Sequence, residues 1–207
     1  MINNNNVIFG IDDCESVTIR NTTTGKYDTF PYVGDYGYPL TRGPGMYSVV
    51  ARRKDGGFKS FYTEVTEDSM TAYTVQSNAF VDVDAAKELL QYINPTVNDI
   101  YKYVYHKVGY DYIKAVKVAK TKLYRSDVTE TFNKKKGICW DKTCLFAALC
   151  RAARIPCQIC VGTLKTGMFK QYHSWCRVLT EEGKWKSIDP TNGTKYKADN
   201  YSAERFF

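Results

Sequence analysis

Residues 138–154 carry the strongest helix signal in the chain, and this segment constrains the fold more than any other. Its apolar residues recur at helical spacing, at Leu145, Ala148, Leu149 and Ala152. The dipeptide Ile155-Pro156 ends the pattern. Three strand-like runs with glycine-containing turns between them follow, at residues 157–162, 173–179 and 184–189. This order predicts a helix followed by an antiparallel sheet.

The first 82 residues have a different pattern. From residue 7 onward, polar and apolar residues alternate in short runs separated by turn signals, and the clearest runs are 17–20, 46–51 and 58–65. Near Asp82 the pattern becomes helical, with one helix predicted at 84–93 and a second starting after Thr96 as N-cap. We therefore predict an α+β chain with a small all-β module at residues 1–82 and a catalytic domain at residues 83–207.

Composition narrows the class of protein. Hydrophobic residues make up 43% and charged residues 25% of the 207 residues, which is typical of a globular protein and not of a disordered or fibrous one. No run approaches the roughly 18 apolar residues of a membrane-spanning helix. The N-terminus lacks the basic start and apolar run of a signal peptide. The protein is therefore expected in the cytoplasm if the chain is complete, and at the cell surface or outside if a leader was removed.

The net charge of +7 is concentrated around Lys134–Lys136 and in a lysine-rich stretch that includes Lys114, Lys117, Lys120 and Lys122. A basic protein can favour anionic partners such as nucleic acid, but lysines beside a loop are more often a solvated face. The chain has no zinc-finger, RNA-recognition or helix-turn-helix signature. A specific nucleic-acid partner is therefore not expected.

The chain has seven cysteines, and six of them lie in its last third at positions predicted as helix or strand. Disulfide-rich secreted domains are shorter and place cysteines at turns, so this pattern favours core packing and a reducing compartment. The pair Cys157-x-x-Cys160 allows a metal interpretation. However, residues three apart in a strand point to opposite faces, and no second pair has matching spacing. No metal site is predicted.

Three residues have the types and the order of a cysteine-based catalytic site. Cys139 lies in the first turn of the predicted helix, where free N–H groups and the helix dipole lower the pKa of a thiol. His173 opens a predicted strand and Asp189 ends the next one, so antiparallel pairing brings them together. Each also has a non-catalytic interpretation: a structural helix-start cysteine, a surface histidine, and a turn-forming aspartate before Pro190.

Four motifs occur in a fixed order: Lys136-Gly-Ile-Cys-Trp-Asp, Leu145-Phe-Ala-Ala-Leu-Cys-Arg-Ala-Ala-Arg-Ile-Pro, His173-Ser-Trp and Trp185-Lys-Ser-Ile-Asp-Pro-Thr. Together they resemble the transglutaminase-like superfamily, and most closely its bacterial branch, over residues 84 to about 192. The N-terminal part resembles the β-module that often precedes this domain in bacterial relatives. Arg154 departs from the pattern, because relatives usually carry glycine at this helix end.

The resemblance implies a papain-like core with a Cys139, His173 and Asp189 triad that forms a thioester with a carboxamide substrate. It implies the main-chain N–H of Cys139 as first oxyanion donor. Tyr110 or Tyr112 is a candidate second donor. Trp140 and Trp175 are candidate walls of the site, and core packing is the equal alternative for both. The chain has no acidic cluster like the calcium loops of animal transglutaminases, so activity without a metal or other cofactor is expected.

The implied substrate is a protein or peptide that carries a carboxamide. The sequence leaves hydrolysis and acyl transfer to an amine open, because the two reactions share a triad. It also leaves open a binding or structural module that keeps the fold without turnover. The specific substrate and the oligomeric state are not predicted.

Overall fold

The computed structural model describes residues 1–4, 6–32, 34, 37–67, 73, 81–119 and 124–207. Strands dominate the part before residue 82, and helices followed by a second sheet make up the rest. The predicted α+β class is therefore confirmed. Part of the predicted lysine-rich stretch, including Lys120 and Lys122, lies outside the described residues.

The N-terminal strands form two antiparallel sheets. Seven strands are described here: β1 Ile2–Asn4, β2 Val7–Phe9, β3 Ser16–Asn21, β4 Tyr27–Pro31, β5 Tyr38–Pro39, β6 Gly45–Arg52 and β7 Phe58–Val65. The larger sheet has the order β4-β3-β6-β7, and the smaller has the order β1-β2-β5. Alternate residues of the larger sheet, such as Val17, Ile19 and Val49, are buried on one face, as the period-two pattern predicts.

In the part of the chain that the structure describes, four α-helices precede the helix that carries Cys139: α1 Val83–Leu89, α2 Val97–Lys107, α3 Tyr112–Val118 and α4 Val128–Lys134. In each, the residue before the helix is an Asp or Thr whose side chain accepts a hydrogen bond from a first-turn N–H. Thr96 is the N-cap of α2 as predicted. The first predicted helix is shorter than expected, because α1 ends at Leu89 and a 3₁₀ turn continues it over Leu90–Tyr92.

Helix α5, Cys139–Ala152, packs against the second sheet. This sheet contains β10 Cys157–Thr166, β11 Phe169–Leu179, β12 Trp185–Ile188 and β13 Tyr201–Phe206, in the order β12-β11-β10-β13. All of its pairings are antiparallel. Every residue of α5 from Asp141 to Arg151 is buried. Helix α5 is therefore a central core element with neighbours on all sides.

Two details differ from the sequence prediction. Strand β11 begins at Phe169 and not at His173, because residues 169–172 continue the hairpin with β10 as an exposed extension. His173 is the first buried residue of that strand. Arg154, at the end of α5, has φ +61°, which is the left-handed conformation that glycine adopts without strain.

The N-terminal and C-terminal parts share one hydrophobic core. Phe30 of β4 packs edge-to-face on Phe207, with ring centroids 6.0 Å apart. The Thr41 hydroxyl donates to the main-chain oxygen of Phe206 at 2.6 Å, and Arg42 Nη1 donates to that of Glu204 at 3.0 Å. Segment 41–42 therefore covers the outer edge of β13. None of the helices in the described part of the chain is long and apolar enough to cross a bilayer.

Candidate active site

Cys139 is the first residue of α5, and the chain entering this helix is held tightly. Two short strands, β8 Gly109–Tyr110 and β9 Lys136–Gly137, pair in parallel just before it. At Gly137 an added Cβ would lie 2.7 Å from Cβ of Asp141, so only glycine fits. The N-cap residue, Ile138, has no side-chain acceptor, and the first-turn N–H groups of α5 are left for another partner.

His173 and Asp189 meet beside this helix start. Strand β12 pairs with β11 from Leu179 to Cys176, and Asp189 directly follows β12. The Nε2 atom of His173 lies 2.8 Å from Oδ2 of Asp189, and both side chains are about 5% exposed. This contact leaves Nδ1 as the ring nitrogen available to the Cys139 thiol. The structure thus brings the three predicted residues together.

The protonation of these three groups is coupled. Burial alone would raise the pKa of Cys139, but hydrogen bonding and charge interaction with His173, and hydrogen bonds with Ser174, bring it below the ordinary value. Burial alone would lower the pKa of His173, but Asp189 and Cys139 raise it to about 9. Opposite shifts of this kind favour a thiolate beside an imidazolium at neutral pH.

The Asp189 carboxylate accepts more hydrogen bonds than the one from His173. Its Oδ2 atom also accepts from the Tyr201 hydroxyl at 2.8 Å and from Asn192 Nδ2 at 3.0 Å. Its Oδ1 atom accepts from the main-chain N–H groups of Thr191 and Asn192 at 2.8 and 3.0 Å. Burial raises the pKa of Asp189, but the contact with His173 and these N–H groups lower it below its usual value. The carboxylate is therefore ionised and fixed in orientation.

Tyr201 and Asn192 were not predicted from the sequence. Asn192 follows Asp189 in a turn of the Asp-Pro-Thr-Asn type, which gave a local signal. Tyr201 begins β13, and only the return of that strand beside β10 brings it to Asp189. Its pKa is raised by burial and by the neighbouring carboxylate, so its hydroxyl stays protonated and acts as a donor.

A second buried carboxylate, Asp141, organises the other side of the helix start. It is fully buried and accepts from the Ile138 N–H at 3.0 Å and from the Tyr124 hydroxyl at 2.6 Å. The Lys114 ammonium lies 2.8 Å from its Oδ2 atom. Asp141 therefore ties α3 and the segment before α4 to the first turn of α5. The motif contains this aspartate, but the sequence alone assigned it no role.

Lys142 is buried one helical turn after Cys139. Its Nζ atom donates to the main-chain oxygen of Val108 at 2.6 Å and lies 5.9 Å from the centre of the Tyr105 ring. Burial lowers its pKa to about 8, although the charge of Asp189 opposes this shift. Lys142 thus links the end of α2 to α5.

The two candidate oxyanion residues differ in position. The half-buried Tyr110 lies against Cys139, and its hydroxyl oxygen accepts a hydrogen bond from the Cys139 main-chain N–H, although burial raises the pKa of Tyr110. Tyr112 is 75% exposed and touches Tyr110 ring to ring, with centroids 4.9 Å apart. Only Tyr110 therefore lies where it can reach a group bound at Cys139.

The two tryptophans also differ. Trp140 is half-buried, borders the cavity next to Cys139 and packs on Phe207. Trp175 is 1% exposed and stacks behind the His173 ring, with centroids 6.3 Å apart. Trp175 is not among the residues that line the cavity beside Cys139, and its burial fits the alternative of core packing. This residue lies two positions into the buried part of β11, where it supports the histidine from behind.

Cys139 and His173 open into a cavity of about 440 Å³. Its walls come from several separate parts of the chain and are mostly apolar. They include Thr29 and Pro31 of β4, Val118 and Ala119 at the end of α3, Tyr172 of β11, and Arg205 and Phe207. The N-terminal strands thus contribute to the same cavity as Cys139.

Comparison with known families now bears on this geometry. A family profile described as the transglutaminase-like superfamily matches residues 77–190, more than half of the chain. This chain belongs to the transglutaminase-like superfamily. The match includes the helix that carries Cys139 and extends past Asp189. Membership supports a cysteine-dependent catalytic role in general.

Solved structures similar to this transglutaminase-like chain are distant in sequence. One is described as a candidate cysteine protease from Cytophaga hutchinsonii, with 14% identity and a TM-score of 0.46 over 86% of this chain and 72% of that one. Another is the periplasmic domain of TgpA from Pseudomonas aeruginosa bound to ethylmercury, with 14% identity and a TM-score of 0.45 over 87% and 91%. No curated protein gives a significant match.

Proposed function

We propose that this protein breaks the C–N bond of a carboxamide and passes the acyl group, through a thioester on Cys139, to water or to an amine. Cys139, His173 and Asp189 act as its catalytic triad. The observation that carries the proposal is the hydrogen-bonded series from Asp189 through His173 to Cys139, which ends at an open cavity. The opposite pKa shifts of Cys139 and His173 support it.

In the first half-reaction, the Cys139 thiolate attacks the carbonyl carbon of the amide, and the π electrons move to the oxygen. The main-chain N–H of Cys139 and the Tyr110 hydroxyl are hydrogen-bonded to each other in the free protein, and both lie where they can donate to this oxyanion. The His173 imidazolium then gives its proton to the leaving nitrogen as the C–N bond breaks. Ammonia or an amine leaves, and the acyl group stays on sulfur.

In the second half-reaction, water or a primary amine attacks the thioester carbon, and His173 takes a proton from this nucleophile. The C–S bond breaks and restores the thiolate. Asp189 holds the imidazole ring so that Nδ1 faces the sulfur throughout. Water gives hydrolysis and an amine gives transamidation, so the incoming group decides between peptidase and acyltransferase.

The first test is the rate of iodoacetamide alkylation at Cys139 against pH. We expect the wild-type thiol to titrate well below the free value of about 8.5. In His173→Ala, burial without the imidazole keeps the thiol neutral, so the rate at pH 7 should fall at least about tenfold. His106→Ala is the matched control, because His106 is the only other histidine and is exposed on α2.

Peptide mapping by mass spectrometry assigns the label to Cys139, and the other six cysteines are buried. If Cys139 titrates as a free thiol and His173→Ala leaves the rate unchanged, the catalytic proposal fails. The chain would then be a binding module on this fold. If the thiol is activated, ammonia release from a glutamine-containing peptide, with and without an added primary amine, separates hydrolysis from transamidation.

A further inference from the structure

Strand β4 lies at the edge of the larger N-terminal sheet and borders the cavity of Cys139. Among the strands that the structure describes, it pairs with β3 alone. Its residues Thr29 and Pro31 line the cavity together with Cys139 and His173. An edge strand presents N–H and C=O groups that can pair with another extended chain. Only the main-chain groups of β4 that point away from β3 are available for such pairing.

The pairing register between β3 and β4 determines which main-chain groups of β4 point away from β3. The main-chain N–H of Asn21 donates to the oxygen of Lys26 at 2.9 Å, and that of Tyr32 donates to the oxygen of Glu15 at 3.0 Å. Hydrogen-bonded pairs alternate with non-hydrogen-bonded pairs along an antiparallel ladder. The opposed pair Thr18 and Thr29 is therefore a non-hydrogen-bonded one. The N–H and C=O of Thr29 point away from β3, toward the free edge.

The neighbouring positions limit how far this free edge extends. Tyr27 has the same orientation as Thr29, but its main-chain oxygen already accepts from Arg42 Nη2 at 3.2 Å. Pro31 has no N–H, and proline in a sheet is tolerated at such an edge. Thr29 is thus the residue of β4 that offers both a donor and an acceptor beside the cavity.

We propose that β4 binds an extended polypeptide segment of the substrate as an added strand, through the main-chain N–H and C=O of Thr29. The segment leads the carboxamide into the cavity where Cys139 lies. A polypeptide is the polymer whose donors and acceptors repeat at the spacing of a strand edge, about 6.8 Å for every second residue. This inference rests on the proposed function, because it supplies the substrate for that site.

The test uses two cysteine-directed probes with peptide backbones and two matched references without one. Iodoacetyl-tetraalanine amide carries the chain on one side of the reactive carbon, and succinyl-tetraalanine chloromethyl ketone carries it on the other. Iodoacetamide and chloroacetone are their backbone-free references. For each protein, the rate constant at Cys139 with a peptide probe is divided by that with its reference. This ratio measures what the backbone adds. In the wild type we expect at least one ratio to be well above one.

The decisive variant is Thr29→Pro, which removes the free N–H without removing a hydrogen bond of the β3–β4 ladder. Thr29→Ala measures the loss of the side chain, whose hydroxyl lies 3.1 Å from that of Thr18. We expect the ratio in Thr29→Pro to be roughly three- to tenfold below that in Thr29→Ala, the effect of one hydrogen bond. Tyr27→Pro places proline on the same edge away from the cavity and should keep the wild-type ratio.

The proposal is overturned if neither peptide probe exceeds its reference, or if Thr29→Pro and Thr29→Ala have equal ratios. Sedimentation velocity tests whether a second copy of the chain, and not a substrate, pairs with the edge of β4. A wild-type dimer that dissociates in Thr29→Pro, with an unchanged ratio, would show that the edge pairs with another copy and would also overturn it. Failure of the catalytic proposal gives a different result. It would appear in the pH profile of iodoacetamide alkylation and not in the ratios of peptide probe to reference.

Discussion

The Asp189 carboxylate accepts hydrogen bonds on both oxygens from Tyr201, Asn192, Thr191 and His173. A buried carboxylate without such donors would take up a proton and lose its charge. Here the donors keep it ionised, and its charge raises the pKa of His173. The protonation of the imidazole, and through it the reactivity of the thiol, therefore depends on the environment of Asp189.

Replacing Asp189 by Asn removes the charge but keeps the size of the side chain. We expect the pKa of His173 to fall from about 9 toward 6.5, and alkylation of Cys139 at pH 7 to slow by roughly 10- to 100-fold, since each unit of pKa changes the ion-pair population about tenfold. NMR titration of His173 measures the first effect. Asp199→Asn removes an exposed carboxylate as control. An unchanged His173 titration in Asp189→Asn would contradict the coupling.

Cys139 and His173 also predict a pH dependence of stability. The raised pKa of His173 stabilises the fold below pH 6.5, and this contribution is lost as the pH rises through about 9. The lowered pKa of Cys139 acts in the opposite sense: its contribution is present above the unfolded pKa of 9.0 and is lost as the pH falls through the folded value. Where the two pH ranges overlap, the two slopes oppose each other, because the folded chain keeps on His173 a proton that the unfolded chain keeps on Cys139.

Cys139→Ala removes the contribution of the thiol to the pH dependence of stability and leaves that of His173. We expect its free energy of unfolding to fall relative to wild type as the pH rises from 6.5 to 8.5, by on the order of 1 kcal/mol, because the pKa of His173 remains raised by Asp189. Urea unfolding at each pH measures it. In the double variant Cys139→Ala/His173→Gln, the difference in free energy of unfolding from wild type should lose this fall with pH. Parallel curves for wild type and Cys139→Ala would argue against the ion pair.

At the scale of elements, strand β13 lies against β10 because of a glycine. A Cβ added at Gly162 would lie on the main-chain oxygen of Ser202 and 2.9 Å from the nitrogen of Glu204. The pairing also shifts register between Val161 and Gly162. This close approach sets the position of β13, and Tyr201 at its start donates to Asp189.

Gly162→Ala should therefore push β13 away from β10. We expect a loss of about 2–3 kcal/mol in the free energy of unfolding, typical of a side chain forced into a packed site, and slower alkylation of Cys139. Gly109→Ala is the control, because the nearest atom to its added Cβ is Lys135 O at 3.8 Å, an ordinary contact. Urea unfolding of both variants measures the difference. Equal stability of the two variants would mean that β13 has room to move.

The elements differ in how well the sequence predicts them. Helix α5 is predicted because its apolar pattern and Ile155-Pro156 are local signals. Helices α3 and α4 are missed because each has only seven residues, too few to show a clear apolar period, although Asp111 and Asp127 are their N-caps.

The residues of the candidate site also differ in how well the sequence predicts them. Cys139, His173 and Asp189 are recognisable from their types and their places relative to predicted elements. The hydrogen bond from Tyr201 and the position of Trp175 behind His173 depend on how the sheet is assembled. Contacts of this kind have no local signature in the sequence, so the sequence could not predict them.

At the scale of the whole molecule, the N-terminal strands and the second sheet share a core. Phe30 is 1% exposed and packs on Phe207 across the boundary that the sequence predicts near residue 82. Phe207 in turn packs on Trp140 beside Cys139. The division into two domains stays a prediction, but the two parts are expected to unfold together.

Phe30→Ala tests this. We expect the variant to lose about 3–5 kcal/mol in the free energy of unfolding, as for other buried phenylalanines. The loss should be visible in tryptophan fluorescence, although all three tryptophans lie after residue 139. Phe58→Ala, in the same module but 70% exposed, should change stability by less than about 0.5 kcal/mol. If Phe30→Ala unfolds the N-terminal strands without shifting the fluorescence transition, the two parts are independent.

The short parallel pair of β8 and β9 has a consequence for how related chains can diverge. The Gly109 N–H donates to Lys135 O at 2.9 Å, and the Asp111 N–H donates to Gly137 O at 3.0 Å, so residues 111–135 leave and return at neighbouring points. Doubling the length of such a closed loop costs only about 0.6 kcal/mol in entropy. Insertions, deletions and exchanges in this segment, which contributes Val118 and Tyr124 to the cavity, can therefore alter substrate choice over evolution while Cys139 keeps its place.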